Sequence, residues 1–156
     1  MSFGMRNLAR AGVVAGALGL SLIATMGGAQ AYTHDGSDPS AAGCSGDATT
    51  VESATVKNSN ATFGTIELRY SLKCHTAWAR LTLNYTQSAC GNAAAGYECA
   101  HAYVVRNNDG RQYSCEISKG QKQCYTPMVY DKGLTSFAQA YIDSAAGQAN
   151  TRTASY

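Results

Sequence analysis

The stretch Thr65-Ile66-Glu67-Leu68-Arg69-Tyr70-Ser71-Leu72 decides the fold class. Ile66, Leu68, Tyr70 and Leu72 fall on one side, and Thr65, Glu67, Arg69 and Ser71 on the other. Successive side chains of a strand point to opposite faces, so this period of two marks a strand with one face in a core and one in water. The device repeats at once: Ala77, Ala79, Leu81, Leu83 and Tyr85 alternate with Trp78, Arg80 and Thr82. Lys73-Cys74-His75 is short enough to join the two runs as a hairpin.

Outward from this pair, the chain reads as further short strands separated by turns. Residues 48–56 suit a strand or a short helix, with Thr49, Thr50, Val51, Thr55 and Val56 favouring the strand. Residues 97–105 are aromatic and β-branched. Asn107-Asn108-Asp109-Gly110 is a turn of residues that tolerate positive φ. Residues 111–117 alternate again, with Tyr113, Cys115 and Ile117 on one side. Residues 123–130 and 135–142 follow, separated by Asp131-Lys132-Gly133, and the last run also fits a helical period. The pattern predicts an all-β domain of six to eight antiparallel strands, a small disulfide-stapled barrel or sandwich with room for one short helix. Closing the sheet would remove edges that invite aggregation.

The first 31 residues read as an export signal. Arg6 and Arg10 precede an apolar stretch of about sixteen residues, Ala11 to Met26, and Gly27-Gly28-Ala29-Gln30-Ala31 fits cleavage after Ala31. The stretch is short against the roughly twenty residues a bilayer span needs. Removing 31 of 156 residues leaves 125, enough for one domain. Arg6 and Arg10 leave with the signal, so ten of twelve basic residues remain against ten acidic ones. A neutral mature chain with no basic run lacks the footprint of a nucleic-acid binder, and no membrane attachment is expected after cleavage. The expected organisation is a signal at 1–31, an extended or looped polar arm at 32–47 and a single β domain at 48–156.

Six cysteines in an exported chain, Cys44, Cys74, Cys90, Cys99, Cys115 and Cys124, point to structural disulfides. Sequence alone permits fifteen pairings. Cys90 and Cys99 bracket a small-residue loop, Gly91 to Gly96, and Cys115 and Cys124 bracket Gly120. Both intervals suit a local bridge, which leaves Cys44 for Cys74. No C-x-x-C pair and no H-x-x-x-H occurs, so neither a redox catalyst nor a metal site is expected, and no cofactor.

No catalytic constellation stands out. There is no G-x-S-x-G elbow. His34 lies in the arm, and His75 and His101 sit beside cysteines. A glycosidase would need two converging carboxylates, for which Glu67, Glu98 and Glu116 are the strand candidates. Glu67 and Arg69 share a strand face, which favours a cross-strand ion-pair ladder with Arg80. Asp35-Gly36-Ser37-Asp38 resembles the start of a calcium loop but lacks the later carboxylates. Ten tyrosines and Trp78 could supply a stacking surface.

Gly64 to Ser71, followed by Cys74-x-Thr76-Ala77-Trp78-Ala79-Arg80, resembles a family of secreted actinobacterial proteins filed as a domain of unknown function. Asp38-Pro39-x-x-x-Gly43-Cys44, Cys115, the run from Cys124 to Asp131 and the closing Thr151 to Tyr156 fit it too. The resemblance implies export and a cysteine-bridged fold, and carries over no catalytic residue. A fainter likeness is to the bridging subunits of umbrella-shaped Streptomyces toxin particles, which join a lectin to a toxin scaffold through an extended N-terminal segment. It implies a secreted, non-catalytic adapter whose partners are other secreted proteins, including a lectin and a toxin scaffold. The arm, with Tyr32, His34, Asp35, Asp38 and Pro39, would then carry the contact by adding to a partner's sheet or filling its cleft. The competing readings are a secreted hydrolase acting on cell-wall glycan or peptide, and an extracellular protease inhibitor.

Overall fold

The computed structural model describes residues 32–88, 90 and 99–156. The signal, the loop between Cys90 and Cys99 and Glu98 lie outside the described residues. Nine strands follow a single 3₁₀ turn at Ser45–Asp47: β1 (Thr49–Lys57), β2 (Thr62–Ser71), β3 (Thr76–Leu83), β4 (Ala100–Arg106), β5 (Gln112–Ile117), β6 (Gln123–Tyr125), β7 (Val129–Tyr130), β8 (Ser136–Ser144) and β9 (Gly147–Arg152). One sheet runs β1-β2-β3-β6, with β7 also paired to β3, and the other runs β5-β4-β8-β9. All pairings are antiparallel. The two sheets pack face to face as a sandwich, and they do not close into a barrel.

The alternation that defined β2 and β3 determines what lies between the sheets. Ile66, Leu68, Ala79, Leu81 and Leu83 are buried on the inner face of the first sheet. The second sheet opposes them with small residues, Ala100, Ala102, Ala138, Ala140 and Ala149, interspersed with Val104 and Ile142. Large side chains on one face against alanines on the other let the layers interdigitate at native density. Gly64 has a separate steric role. A Cβ there would lie 2.1 Å from the Thr82 carbonyl oxygen, so β2 and β3 pair at this point only because the residue has no side chain.

Several elements depart from the periodicity. Leu72, expected inward, is exposed because β2 ends at Ser71 and the chain has entered the hairpin turn, where His75 takes φ 53°. The run 123–130 splits into β6 and β7. Thr126 Oγ1 accepts from the Ala79 amide in place of a ladder carbonyl, and Pro127 has no amide to donate. The two ambiguous runs, 48–56 and 135–142, are both strands. β9 is polar apart from Ala149 and is held by its register with β8, Gln139 opposite Arg152 through Ser144 opposite Gly147. It brings the strand count above the six to eight expected, and no α-helix occurs among the described residues.

Three disulfides staple the sandwich, Cys44–Cys74, Cys90–Cys99 and Cys115–Cys124. This is the pairing that the intervals suggest. Cys115–Cys124 links β5 to β6, strands of opposite sheets, and Cys44–Cys74 ties the N-terminal segment to the β2–β3 hairpin.

Residues 32–47 take the looped alternative, and the loop is docked on the sandwich. They form successive turns and pack into the same compact unit as the strands. The Gly36 amide donates to the Met128 carbonyl (2.9 Å), and the Met128 amide donates to the Ser37 carbonyl (2.9 Å). Cys44, Trp78 and Met128 form a second small core on the outer face of the first sheet. The physical cause is Arg106, whose guanidinium is 0% exposed. A buried guanidinium has five N–H donors and a charge to satisfy. Nη1 donates to Asp35 Oδ1 and Oδ2 (2.9 and 3.0 Å) and to the Tyr130 carbonyl (3.1 Å). Nε and Nη2 donate to Asp109 (3.0 and 2.6 Å), and the Tyr32 ring covers the cation at 4.1 Å. Burial works against the Arg106 charge, but the bonds to Asp109 and Asp35 hold its pKa above the ordinary value. Asp109 is drawn down to about 2 by the bond from Arg106.

Candidate functional site

With the segment docked, the residues expected to meet a partner are engaged internally. Tyr32 stacks on Tyr130 with ring centroids 5.4 Å apart. Asp35 holds Arg106 and also accepts from the Tyr130 amide (2.6 Å), which leaves its carboxylate unavailable for a calcium loop. Asp38 Oδ1 accepts from the amides of Ser40 and Ala41, both at 2.8 Å. Pro39 is buried, and His34 sits at φ 72° beside the Cys44–Cys74 bridge. The polar groups that a strand donor would offer to a partner are used on the body of the protein itself.

Of the candidate carboxylates, the two among the described residues do not converge either. Glu67 is on the outer face of the first sheet, and Glu116 is on the outer face of the second, 3.9 Å from His101 Nε2. The core lies between them. His75 Nδ1 sits 3.3 Å from the Tyr70 hydroxyl. Among the described residues two groups of possible metal ligands form, His34 with Cys44 and Cys74, and Cys90 and Cys99 with Glu116. In both the sulfurs are disulfide-bonded, and such a sulfur is not a thiolate ligand.

What the fold does assemble is a cleft of ≈ 290 Å³ on the outer face of the first sheet, lined by Pro39, Arg69, Trp78, Arg80, Gln123 and Tyr125 among others. Strand register builds it. Glu67, Arg80 and Tyr125 stand in one cross-strand row of β2, β3 and β6, and Arg69 lies opposite Trp78 in the next. The floor is a fixed polar array. Arg80 Nε and Nη2 grip Glu67 at 2.6 and 2.9 Å, the ladder that the alternation suggests. Glu67 also accepts from Thr50 Oγ1 (2.8 Å). Arg69 donates from Nη1 to Thr50 Oγ1 and from Nη2 to the Ala48 carbonyl, both at 2.7 Å.

These bonds tune the charges. The bond from Arg80 holds the Glu67 carboxyl below its ordinary pKa, and the same bond raises Arg80. Arg69 is lowered, first by burial and then by the positive charge of Arg80. Trp78 is buried beneath the docked N-terminal segment, and Gln123 Nε2 is fixed to Thr82 Oγ1 (2.8 Å). Tyr125, 44% exposed, stands at the open side. Tyrosine beside arginine is a pairing enriched where proteins meet partners.

Fold and site together define a class: a two-sheet β-sandwich, braced by disulfides, that presents a basic and aromatic cleft on one sheet. A family described as a protein of unknown function, DUF2690, matches residues 32–140, and the chain belongs to that family. The uncharacterized protein YjfA of Bacillus subtilis (strain 168) is 40% identical over 111 residues, an alignment spanning 66% of this chain and 66% of that protein. No solved structure matches the chain. The family match takes in the N-terminal segment and every residue that lines the cleft, and stops short of β9.

Proposed function

We propose that the protein is exported and acts as a non-catalytic binding protein, an adapter in an extracellular complex, engaging its partner through the outer face of the β1-β2-β3-β6 sheet. The observation that carries this reading is the cleft itself: an exposed Tyr125 and a one-third exposed Arg80 held on a bridged, hydrogen-bonded scaffold. Pre-organised aromatic and arginine side chains lose little freedom on association, which is why they dominate binding energy at interfaces. Export is supported by the leader pattern and by the disulfides, with no free cysteine among the described residues.

The likeness to bridging subunits supplies the partner classes, a lectin and a toxin scaffold. The docked N-terminal segment changes how such a bridge would work, because contact passes from an extended arm to a rigid sheet face. The separation of Glu67 from Glu116 disfavours the hydrolase built on that pair. The test is recovery of partners from culture supernatant with the tagged full-length gene product. Wild type should retain a defined set of secreted proteins, and Tyr125→Ala should lose them. Equal recovery by the variant would move the contact elsewhere on the molecule.

A further inference from the structure

The cleft is short of one negative charge. Two guanidinium groups, Arg69 and Arg80, line it, and Glu67 pairs with Arg80 alone among the described residues. The neighbouring acids, Asp38 and Asp47, are outside the lining and bonded elsewhere. Asp38 accepts from Ser40 and Ala41, and Asp47 accepts from Ser71 Oγ (2.7 Å) and the Lys73 amide (2.8 Å). Arg80 spends Nε and Nη2 on Glu67, and among the described residues no acceptor meets its Nη1. A planar guanidinium edge with unused donors, beside a second cation whose own bonds go to the neutral oxygens of Thr50 and Ala48, recognises a carboxylate by a charge-assisted fork. Pro39, Trp78 and Tyr125 offer apolar walls to the stem behind such a group.

We infer that the cleft is a carboxylate-binding site, and that its occupant is an aspartate or glutamate side chain on an extended segment of the partner protein. This rests on the binding reading above and names the chemistry of its contact. A deficit of one charge matches a monoanion better than a doubly charged phosphate. A cleft of ≈ 290 Å³ holds one or two side chains and excludes a folded element.

The experiment is an NMR titration of the mature protein, reading the arginine Nε–H signals and the Trp78 indole. The probes are acetyl-Ala-Glu-Ala-amide, its Gln counterpart, methyl phosphate and glucuronate. The glutamate peptide should give saturable shifts at Arg69, Arg80 and Trp78. Its affinity should be at least about tenfold above that of the glutamine peptide, and should fall with added salt. Arg69→Gln should abolish the discrimination while the amide spectrum of the second sheet stays unchanged. Should that variant misfold, the salt series on wild type and the Tyr125→Ala variant decide, and insensitivity to both overturns the inference. So does equal binding of the two peptides, or no saturable shift. Tighter methyl phosphate overturns the carboxylate, and tighter glucuronate overturns the polypeptide source. Partners recovered from supernatant alongside a silent titration would remove the inference and leave the adapter reading standing.

Discussion

Replacing Asp131 with Asn should stabilise the protein above pH 6 and leave it nearly unchanged near pH 4. Asp131 opens the turn between β7 and β8 and is 4% exposed. Ser136 Oγ donates to its Oδ1 at 3.0 Å, and among the described residues its buried Oδ2 meets no donor. Burial raises its pKa from 3.8 to about 6, and the Ser136 bond and the Arg106 charge offset that only in part. Below about pH 4 the carboxyl is protonated in both native and unfolded chains. Between about pH 4 and about pH 6 the unfolded chain has released the proton and the native protein keeps it, so stability falls as pH rises. A shift of about two units is worth about 3 kcal/mol at most, and about 2 kcal/mol once relaxation around the carboxylate is allowed for. Asn keeps the acceptor for Ser136 and removes the charge. Guanidinium denaturation followed by the fluorescence of Trp78, the single tryptophan, should show the variant equal to wild type at pH 4. At pH 7.5 it should be about 2 kcal/mol more stable. A difference that does not change with pH, or a variant less stable at pH 7.5, would refute the buried-charge argument.

Other perturbations follow from packing. Arg106→Met should cost about 4 kcal/mol, because Asp35 and Asp109 lose the cation that satisfies them. Denaturation should report the loss, and amide exchange should show residues 32–37 released. Gly64→Ala should cost about 3 kcal/mol by forcing a methyl against the Thr82 carbonyl, read as a lowered thermal midpoint. Replacing Cys44 and Cys74 together by Ser should cost about 3 kcal/mol, since that bridge closes a 30-residue interval. Alkylation of the denatured, unreduced wild type should label no sulfur.

Strands β2 and β3 were legible because one amphipathic period runs through both, and cross-strand register then placed Glu67 beside Arg80. The disulfides were legible because two intervals are short and contain turn residues. The docking of residues 32–47 was not. Tyr32 and Asp35 look solvated in a polar stretch, and their partner Arg106 lies 71 positions from Asp35 at the end of β4, where an arginine reads as exposed. The cleft was hidden for a similar reason. Trp78 and Arg80 read as outward-facing, but Tyr125 joins them only because β6 adds to β3, a pairing no local pattern announces. β9 escaped notice because backbone register and a single alanine hold it.

Hydroxyl-radical footprinting of Tyr125 in untreated culture supernatant, against the purified protein, tests the sheet-face contact most directly. Tyr156, 50% exposed and away from the cleft, serves as the internal reference. Oxidation of Tyr125 should fall sharply in the native secretion while that of Tyr156 holds steady. Equal oxidation of Tyr125 in both samples would contradict the assignment of this sheet face as the binding surface.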